Sequence, residues 1–399
     1  MEIQKSEIKN RSYYLSFFIA GIVLVAFNLR PAITSIGPLV GEIQSAVGLS
    51  GWSAGLLTSL PLLAFAAVSP IVPSLASRLH NERTLLLGLF FLIVGIAVRS
   101  ISNITLLFTG TILIGVGIAI CNVLLPGIVK EKFPDKVGLM TSVYTTAMNV
   151  FAAIASGISI PIAVGMGYGW QTALLVWMIP VIIALIIWFY LAKTSPSANS
   201  TVIHEEAKDT KLWQSALAWQ VALFMGFQST LYYVTIAWLP AILQNNGLNS
   251  TQAGWMLSFT QLIGLPAGFI VPIIAGKMKS QKSLAIIMGL LAVIGYGGLL
   301  IGTSYFAMML SIVLIGISLS GSFALSLTYL GMRARDAKQA SALSGMAQSI
   351  GYLLSAIGPI LIGTLYDITQ AWTIPVGTLI FVSILVTALG ASAGRNKFV

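Results

Sequence analysis

The stretch FNLRPAITSIGPLVGE, residues 27–42, places a permanent positive charge in the middle of an apolar segment. Arg30 lies there about as far from either end of the segment as a membrane-spanning helix allows. An ionised side chain at this depth costs at least roughly 2.5–3.5 kcal/mol on insertion scales, so it marks a functional site by default. Pro31 follows and removes a backbone hydrogen bond, which predicts a kink. Gly37 and Gly41 then allow another helix to approach closely.

Arg30 has no carboxylate at the same depth to pair with, because all eleven Asp and Glu residues fall in predicted loops or near segment ends. The cost of burying its charge can be offset by water in a cavity, by backbone groups freed beside Pro31, or by an anion from solution. The last alternative is a binding site, in which the planar guanidinium takes a carboxylate or similar oxyanion. The other interpretation is a structural arginine, hydrogen-bonded to carbonyls or Asn side chains between helices.

Further polar side chains are predicted at a similar depth, where amides and phenols can orient a ligand by hydrogen bonds. They belong to Asn28, Asn122, Tyr144, Asn149, Gln228, Tyr232, Tyr233, Gln261, Ser322, Gln348 and Tyr352. Each of them, taken singly, is more often a contact between helices than a ligand contact. Tyr232, Tyr233 and Trp238 can stack on a flat substrate, but aromatic residues at this spacing are at least as often packing residues.

The sequence carries no constellation of residues typical of an enzyme. His80 and His204 fall in unrelated loops and Cys121 is the single cysteine, so no metal-ligand cluster is predicted. There is no phosphate-binding loop with Gly-Lys-Ser/Thr, which excludes an ATP-driven pump. We therefore expect no enzymatic activity, no cofactor and no bound metal.

The elements that position these residues are predicted to be membrane helices. Of the 399 residues, 57% are hydrophobic and only 8% charged, against about 25% charged residues in soluble proteins. Apolar segments long enough to span a bilayer recur twelve times along the chain. They cover residues 13–40, 52–76, 84–101, 104–129, 137–164, 169–191, 215–243, 253–276, 283–302, 304–330, 339–365 and 371–392.

The charge pattern predicts the topology of these segments. If the N-terminus is cytoplasmic, all but two of the 21 basic residues lie in inner loops, and the outer loops hold none. The positive-inside rule then places both termini in the cytoplasm. The net charge of +10 thus reflects topology, and no nucleic-acid partner is expected. The two exceptions are Arg30 and Arg99, and Arg99 is predicted to snorkel from the outer end of the third segment to the lipid headgroups.

The chain is predicted to consist of two six-helix halves. A polar stretch rich in Ser and mixed charge suggests the division into residues 1–192, a cytoplasmic linker at 193–214, and residues 215–399. Residues 54–78 align without a gap with residues 253–277, and eight positions are identical. Pro161 and Gly165 also match Pro359 and Gly363 in spacing. Two parallel six-helix repeats are the arrangement of major facilitator transporters.

The sequence resembles this superfamily over its whole length. Leu75-Ala76-Ser77-Arg78 is similar to the superfamily's loop signature, but Ser77 and His80 depart from it. A narrower resemblance links the chain to the cyanate/nitroimidazole transporter branch. It rests on NLRP at 28–31, GPL at 37–39, WLP at 238–240, ALSGMAQSIGY at 342–352 and GP at 358–359.

The resemblance implies an all-α membrane protein with the major facilitator fold and a cavity lined mainly by segments 1, 4, 7 and 10, with 5, 8 and 11 beside them. The substrate-binding candidates that it favours are Arg30, Asn28, Asn122, Gln228, Tyr232, Gln261 and Gln348. The implied function is secondary active transport of a small organic or inorganic anion such as cyanate, by alternating access. One alternative is an exporter of nitroimidazole-like or other small drug-like compounds, and another is a non-transporting membrane sensor.

The expected partners are a small-molecule substrate, for which an anion is the first candidate, and the lipid bilayer. The expected location is the plasma (inner) membrane, with the chain crossing it many times. We expect the protein to be a monomer.

Overall fold

The computed structural model describes residues 17–49, 51–194, 212–301 and 304–399. Within these ranges the chain forms α-helices and no strand. The helices are α1 (17–28), α2 (Pro31–Thr34), α3 (Ile36–Val47), α4 (Gly51–Val68), α5 (Val72–Leu79), α6 (Asn81–Arg99), α7 (Ile104–Lys132), α8 (Val137–Ile160), α9 (Gly169–Leu175), α10 (Met178–Thr194), α11 (Ala216–Asn245), α12 (Ser250–Lys277), α13 (Lys282–Ile301), α14 (Tyr305–Met332), α15 (Ala337–Thr369) and α16 (Thr373–Ala393).

Among the described residues, eleven segments are helical, long and apolar enough to cross a membrane. A further pair, Ser59–Val68 and Val72–Leu79, passes the same test together but is bent by 58°. If the bent pair is one span, the described residues hold twelve spans, numbered here 1 to 12 in chain order. The prediction of an all-α membrane protein is confirmed, and the predicted count of twelve agrees with the structure when the bent pair is counted as one span. Most of the predicted linker lies outside the described residues.

The contacts between residues divide the chain into two compact units. Unit 1 consists of Met1–Ala64, Ser74–Leu125 and Ala147–Lys208. Unit 2 consists of Phe65–Pro73, Pro126–Thr146 and Asp209–Val399. Two segments that precede the predicted linker in sequence therefore pack with the C-terminal spans. The division into two sequence repeats stays a prediction, because contacts do not test an ancestral duplication.

Unit 1 is held together around span 1. The Trp188 indole of span 6 is fully buried and donates from Nε1 to the Gly21 carbonyl at 2.9 Å. A Cβ atom at Gly21 would lie 3.2 Å from the same nitrogen, so a larger residue would crowd this contact. Phe18 packs edge-on against the same indole, with ring centroids 5.3 Å apart. Spans 1 and 6 are thus fixed to each other by one tryptophan.

Unit 2 brings the two early segments against spans 8 and 11. Ser349 Oγ donates to the Ala66 carbonyl at 2.6 Å, and the Phe65 and Tyr352 rings meet edge to face at 4.7 Å. Gly138 of α8 faces α12, where a Cβ atom would lie 3.0 Å from the Gly276 Cα. Two of these contacts are made by glycine and by a serine hydroxyl group, which lets the backbones approach each other closely.

The matched Pro and Gly pairs of spans 5 and 11 differ in local structure. Pro161 begins a five-residue π-helical segment, Pro161–Gly165, at the end of α8. Pro359, in contrast, lies inside the α-helix α15. The indole of Trp238 donates to the Pro359 carbonyl at 2.9 Å and would lie 2.8 Å from a Cβ at Gly363. In span 11 Pro359 and Gly363 therefore form the surface against which Trp238 packs.

The predicted topology can be tested by thiol labelling. Asn103 and Lys279 are exposed, whereas the native Cys121 is buried. We expect a membrane-impermeant maleimide to label Asn103→Cys in intact cells, and to label Lys279→Cys only after the membrane is opened. Wild-type protein is the control for background labelling. Labelling of Lys279→Cys in intact cells would contradict cytoplasmic termini.

Candidate functional site

Arg30 lies where span 1 is broken. The helix α1 ends at residue 28, α2 starts at Pro31, and α3 starts at Ile36. The Arg30 carbonyl accepts hydrogen bonds from the backbone N–H groups of Ile33 and Thr34, both at 2.9 Å. The helix is thus interrupted next to Pro31, as expected because proline cannot donate the hydrogen bond that would continue α1.

The Arg30 side chain is half-buried and faces span 5. Its Nη1 donates to Asn149 Oδ1 at 2.7 Å. One turn on, Thr34 Oγ1 donates to the Ala152 carbonyl at 3.2 Å. On the other side, the Phe27 and Phe151 rings are stacked, with centroids 3.7 Å apart and planes at 13°. Three kinds of contact thus hold the broken part of span 1 to α8 around the guanidinium.

This arrangement has the chemistry of an anion site with a flat apolar wall. The Asn149 carboxamide fixes one nitrogen of the guanidinium but brings no charge of its own. Arginine stays protonated in proteins and presents a planar fork of donors that matches carboxylates and similar oxyanions. The stacked phenyl rings of Phe27 and Phe151 add an apolar surface to the same part of spans 1 and 5. Asn149 is also the kind of partner that the structural interpretation of Arg30 requires.

The other candidates in unit 1 are buried. Asn28 uses its Nδ2 group on the backbone, donating to the Leu24 carbonyl at 2.6 Å and to the Pro180 carbonyl at 3.2 Å. It therefore joins spans 1 and 6, although it lies two residues before Arg30. Asn122 is buried in α7.

The candidates in unit 2 include two fully buried amides. Gln228 Nε2 donates to Ser229 Oγ at 2.7 Å, and Gln348 Nε2 donates to Ser344 Oγ at 2.8 Å. The Oε1 atoms of both glutamines are buried without a hydrogen-bond partner in the part of the chain that the structure describes. A buried acceptor left without a donor costs roughly 1–3 kcal/mol. Both amides are enclosed in unit 2, and their role in substrate binding stays a prediction.

Tyr232 and Gln261 are less enclosed. Tyr232 is half-buried and packs edge-on against Tyr233, with ring centroids 5.3 Å apart. Gln261 is exposed. Trp238 packs against Trp372 and donates to the Pro359 carbonyl of α15, so its role in unit 2 is packing.

Sequence reasoning misjudged Arg99. Its side chain has no exposed surface, and Nη1 donates to the Ala32 carbonyl at 2.5 Å. The prediction that it snorkels to the headgroups is wrong. One reason is that α6 and α7 pack almost in backbone contact: a Cβ at Gly110 would lie 2.7 Å from the Arg99 Cα. The other is that the Ala32 carbonyl, at the break in span 1, accepts a hydrogen bond from Arg99 inside unit 1.

Comparisons with known proteins agree with these features. A family model described as Major Facilitator Superfamily matches residues 14–359. The uncharacterized transporter YycB of Bacillus subtilis is 46% identical over 390 residues, which are 98% of this chain and 96% of YycB. The 2-nitroimidazole transporter of Escherichia coli is 41% identical over 382 residues, 95% of each chain. The cyanate transport protein CynX of Escherichia coli is 25% identical over 353 residues, 87% of this chain and 89% of CynX.

Solved structures show the same fold at low sequence identity. The fucose:proton symporter FucP of Escherichia coli superposes with a TM-score of 0.72 at 15% identity, over 94% of this chain and 98% of FucP. The names of two relatives, the nitroimidazole and cyanate transporters, are those of the branch that the sequence motifs resemble. None of the relatives described here is named as a sensor.

Proposed function

The chain belongs to the Major Facilitator Superfamily as a multi-pass membrane transporter of a small solute, and from this premise we propose that it is a secondary transporter of small anions. Arg30 binds the negative end of the substrate, and the two sequence halves alternate access to it. The protein works as a monomer in the plasma membrane with both termini cytoplasmic.

The observation that carries this proposal is the setting of Arg30. A cationic side chain at mid-membrane depth is costly and is found where it pairs with another group or takes part in function. Its Asn149 partner at 2.7 Å is neutral, so this contact does not cancel the positive charge. The hydrogen bond restrains the half-buried guanidinium, which lowers the entropy cost of binding an anion.

Transport of nitroimidazole-like compounds is the second candidate function. A relative with 41% identity is named a 2-nitroimidazole transporter. The flat face of the Phe27–Phe151 pair beside Arg30 suits an aromatic ring that carries a nitro group. The nitro oxygens would accept hydrogen bonds from the guanidinium, but without a full negative charge.

A thermal-shift screen of the purified protein separates these two candidates. Cyanate and benzoate are compared with neutral molecules of similar shape, such as benzamide, and with 2-nitroimidazole. We expect the anions to raise the melting temperature in a saturable way, because a ligand that binds the folded state stabilises it. Equal stabilisation by benzoate and benzamide would contradict a site for anions. Stabilisation by 2-nitroimidazole and by no anion would favour the second candidate.

Asn149→Asp is expected to weaken anion binding at least tenfold. The new carboxylate would lie at hydrogen-bond distance from Arg30 and form an internal ion pair, with which the substrate must compete. Asn149→Ser is the control, since it shortens the side chain without adding charge. The dissociation constant from the thermal-shift titration measures both. An Asp variant that binds anions as tightly as the Ser variant would show that the substrate does not meet Arg30.

A further inference from the structure

Arg99 is a second buried cation in unit 1, and the proposed function does not use it. One of its nitrogens, Nη1, donates to the Ala32 carbonyl. The other two, Nε and Nη2, are buried without a hydrogen-bond partner among the described residues. Because arginine keeps its proton in proteins, the cost of burying this charge cannot be relieved by deprotonation. The guanidinium therefore needs acceptors and a negative charge inside an enclosed space.

The carboxylates of spans 1 and 3 do not supply that charge. Glu82 lies at the opposite end of α6, about 25 Å from Arg99 at 1.5 Å per residue. Glu42 lies about 15 Å along the helix from Ala32, and its side chain is exposed. Neither reaches the place where the guanidinium meets the Ala32 carbonyl.

Two more donors without partners lie at the same break. Ser35 follows Ala32 by three residues and is the residue between α2 and α3, at the second interruption of span 1. Its hydroxyl is fully buried and without a partner in the described structure. Trp170 packs in one cluster with Ile36, and its indole N–H is likewise buried and unpartnered. A place with an excess of donors and a full positive charge suits an anion.

The space around Arg99 limits the size of that anion. The side chain has 0% of its surface exposed. The helices α6 and α7 pack so closely that a Cβ at Gly95 would lie 2.7 Å from the Ile114 nitrogen, and one at Gly110 the same distance from the Arg99 Cα. Packing this close encloses the guanidinium and leaves no room for an organic acid, so an anion bound beside it has to be monatomic.

We propose that Arg99 and Ser35 form a binding site for a halide-sized inorganic anion at the break of span 1, separate from the Arg30 site. The anion accepts from Nε and Nη2 of Arg99 and from the Ser35 hydroxyl, and it neutralises the buried charge. Its role is to stabilise the broken turn, since Arg99 also holds the Ala32 carbonyl. The proposal is independent of the transported substrate.

The test is the chloride dependence of stability in the full-length protein. The purified protein is transferred to sodium gluconate, whose anion is too large for the site, and titrated with sodium chloride at constant ionic strength. We expect the melting temperature to rise and saturate, by about 2–4 °C. A melting temperature that does not depend on chloride would overturn the proposal.

Variants locate the effect. Arg99→Gln removes the charge but keeps a donor for the Ala32 carbonyl, and should abolish the chloride dependence. Ser35→Ala should weaken the apparent chloride affinity about fivefold, for the loss of one hydrogen bond. Arg30→Gln is the control and should keep the dependence. If Arg30→Gln abolishes it and Arg99→Gln does not, chloride binds at the substrate site, which contradicts this inference but not the proposed function.

Anomalous diffraction keeps the proposal testable if Arg99→Gln fails to fold. Crystals of the wild-type protein grown in sodium bromide should show an anomalous peak within hydrogen-bond distance of the Arg99 guanidinium. Bromide at other positions and none beside Arg99 would overturn the assignment.

Discussion

Arg30→Ala is expected to abolish anion binding and transport, while the melting temperature of the ligand-free protein stays close to that of the wild type. The substitution removes the one cation that the proposed site offers, and hydrogen bonds to charged groups contribute about 1.5–3 kcal/mol each. Two such bonds to a carboxylate correspond to a loss of at least about 100-fold in affinity. The ligand-free fold loses the Arg30–Asn149 hydrogen bond but no longer has to bury a charge.

Arg30→Lys tests the geometry separately from the charge. Lysine keeps a positive charge but lacks the planar two-point contact, so we expect binding to fall about tenfold and not to vanish. Both variants require binding and ligand-free melting temperature on the same preparation. Asn28→Ala is a matched control, since Asn28 is buried two residues away and bonds to the backbone of spans 1 and 6. If Arg30→Ala unfolds the protein while the surviving fraction still binds anions, Arg30 is structural.

Gly138→Val is expected to reduce transport at least tenfold while substrate binding is retained. A Cβ at this position would overlap the Pro272 carbonyl and lie 3.0 Å from the Gly276 Cα. Overpacking of this kind typically costs about 1–3 kcal/mol, and about 1.4 kcal/mol changes an equilibrium tenfold. Alternating access needs two states, each closed on one side of the membrane. Weakening the contact between α8 and α12 lowers the population of the state that contains it and shifts the protein towards the other state.

The control for this prediction is Gly157→Val in the same helix. A Cβ atom at Gly157 would meet no neighbouring element within 4 Å, and both substitutions carry the same helix-propensity cost of valine. Uptake into proteoliposomes of the anion with the largest thermal shift is the measurement for both. Wild-type transport by Gly138→Val would show that the close approach of α8 and α12 is not needed in the cycle.

The sequence predicted the fold from features that act over short distances. Segment length and apolar content define spans, and Pro31 defines the break in span 1, since both follow from the local cost of unsatisfied backbone groups in a membrane. Arg30 was found for the same reason, because a single charge in an apolar segment is visible without knowing its neighbours.

The sequence did not show which residues far apart in the chain contact each other. Asn149 was one of eleven polar residues of similar depth, and its separation of 119 positions from Arg30 gives no sign of their hydrogen bond. The Phe27–Phe151 stack likewise could not be predicted, because a phenylalanine in an apolar segment does not reveal which residue it packs against. Arg99 was misjudged because its position near a span end predicts snorkelling, whereas its burial depends on how α6 packs against α7.

The break in span 1 also bears on how the chain enters the membrane. Span 1 leaves the ribosome before spans 3 and 5, since synthesis runs from the N-terminus. The residues that hydrogen-bond to its broken part are synthesised much later: Arg99 is 67 residues beyond Ala32, and Asn149 is 119 residues beyond Arg30. During synthesis the charged, proline-broken segment is therefore without the side chains that stabilise it, and its insertion depends on the apolar residues of span 1 until spans 3 and 5 arrive.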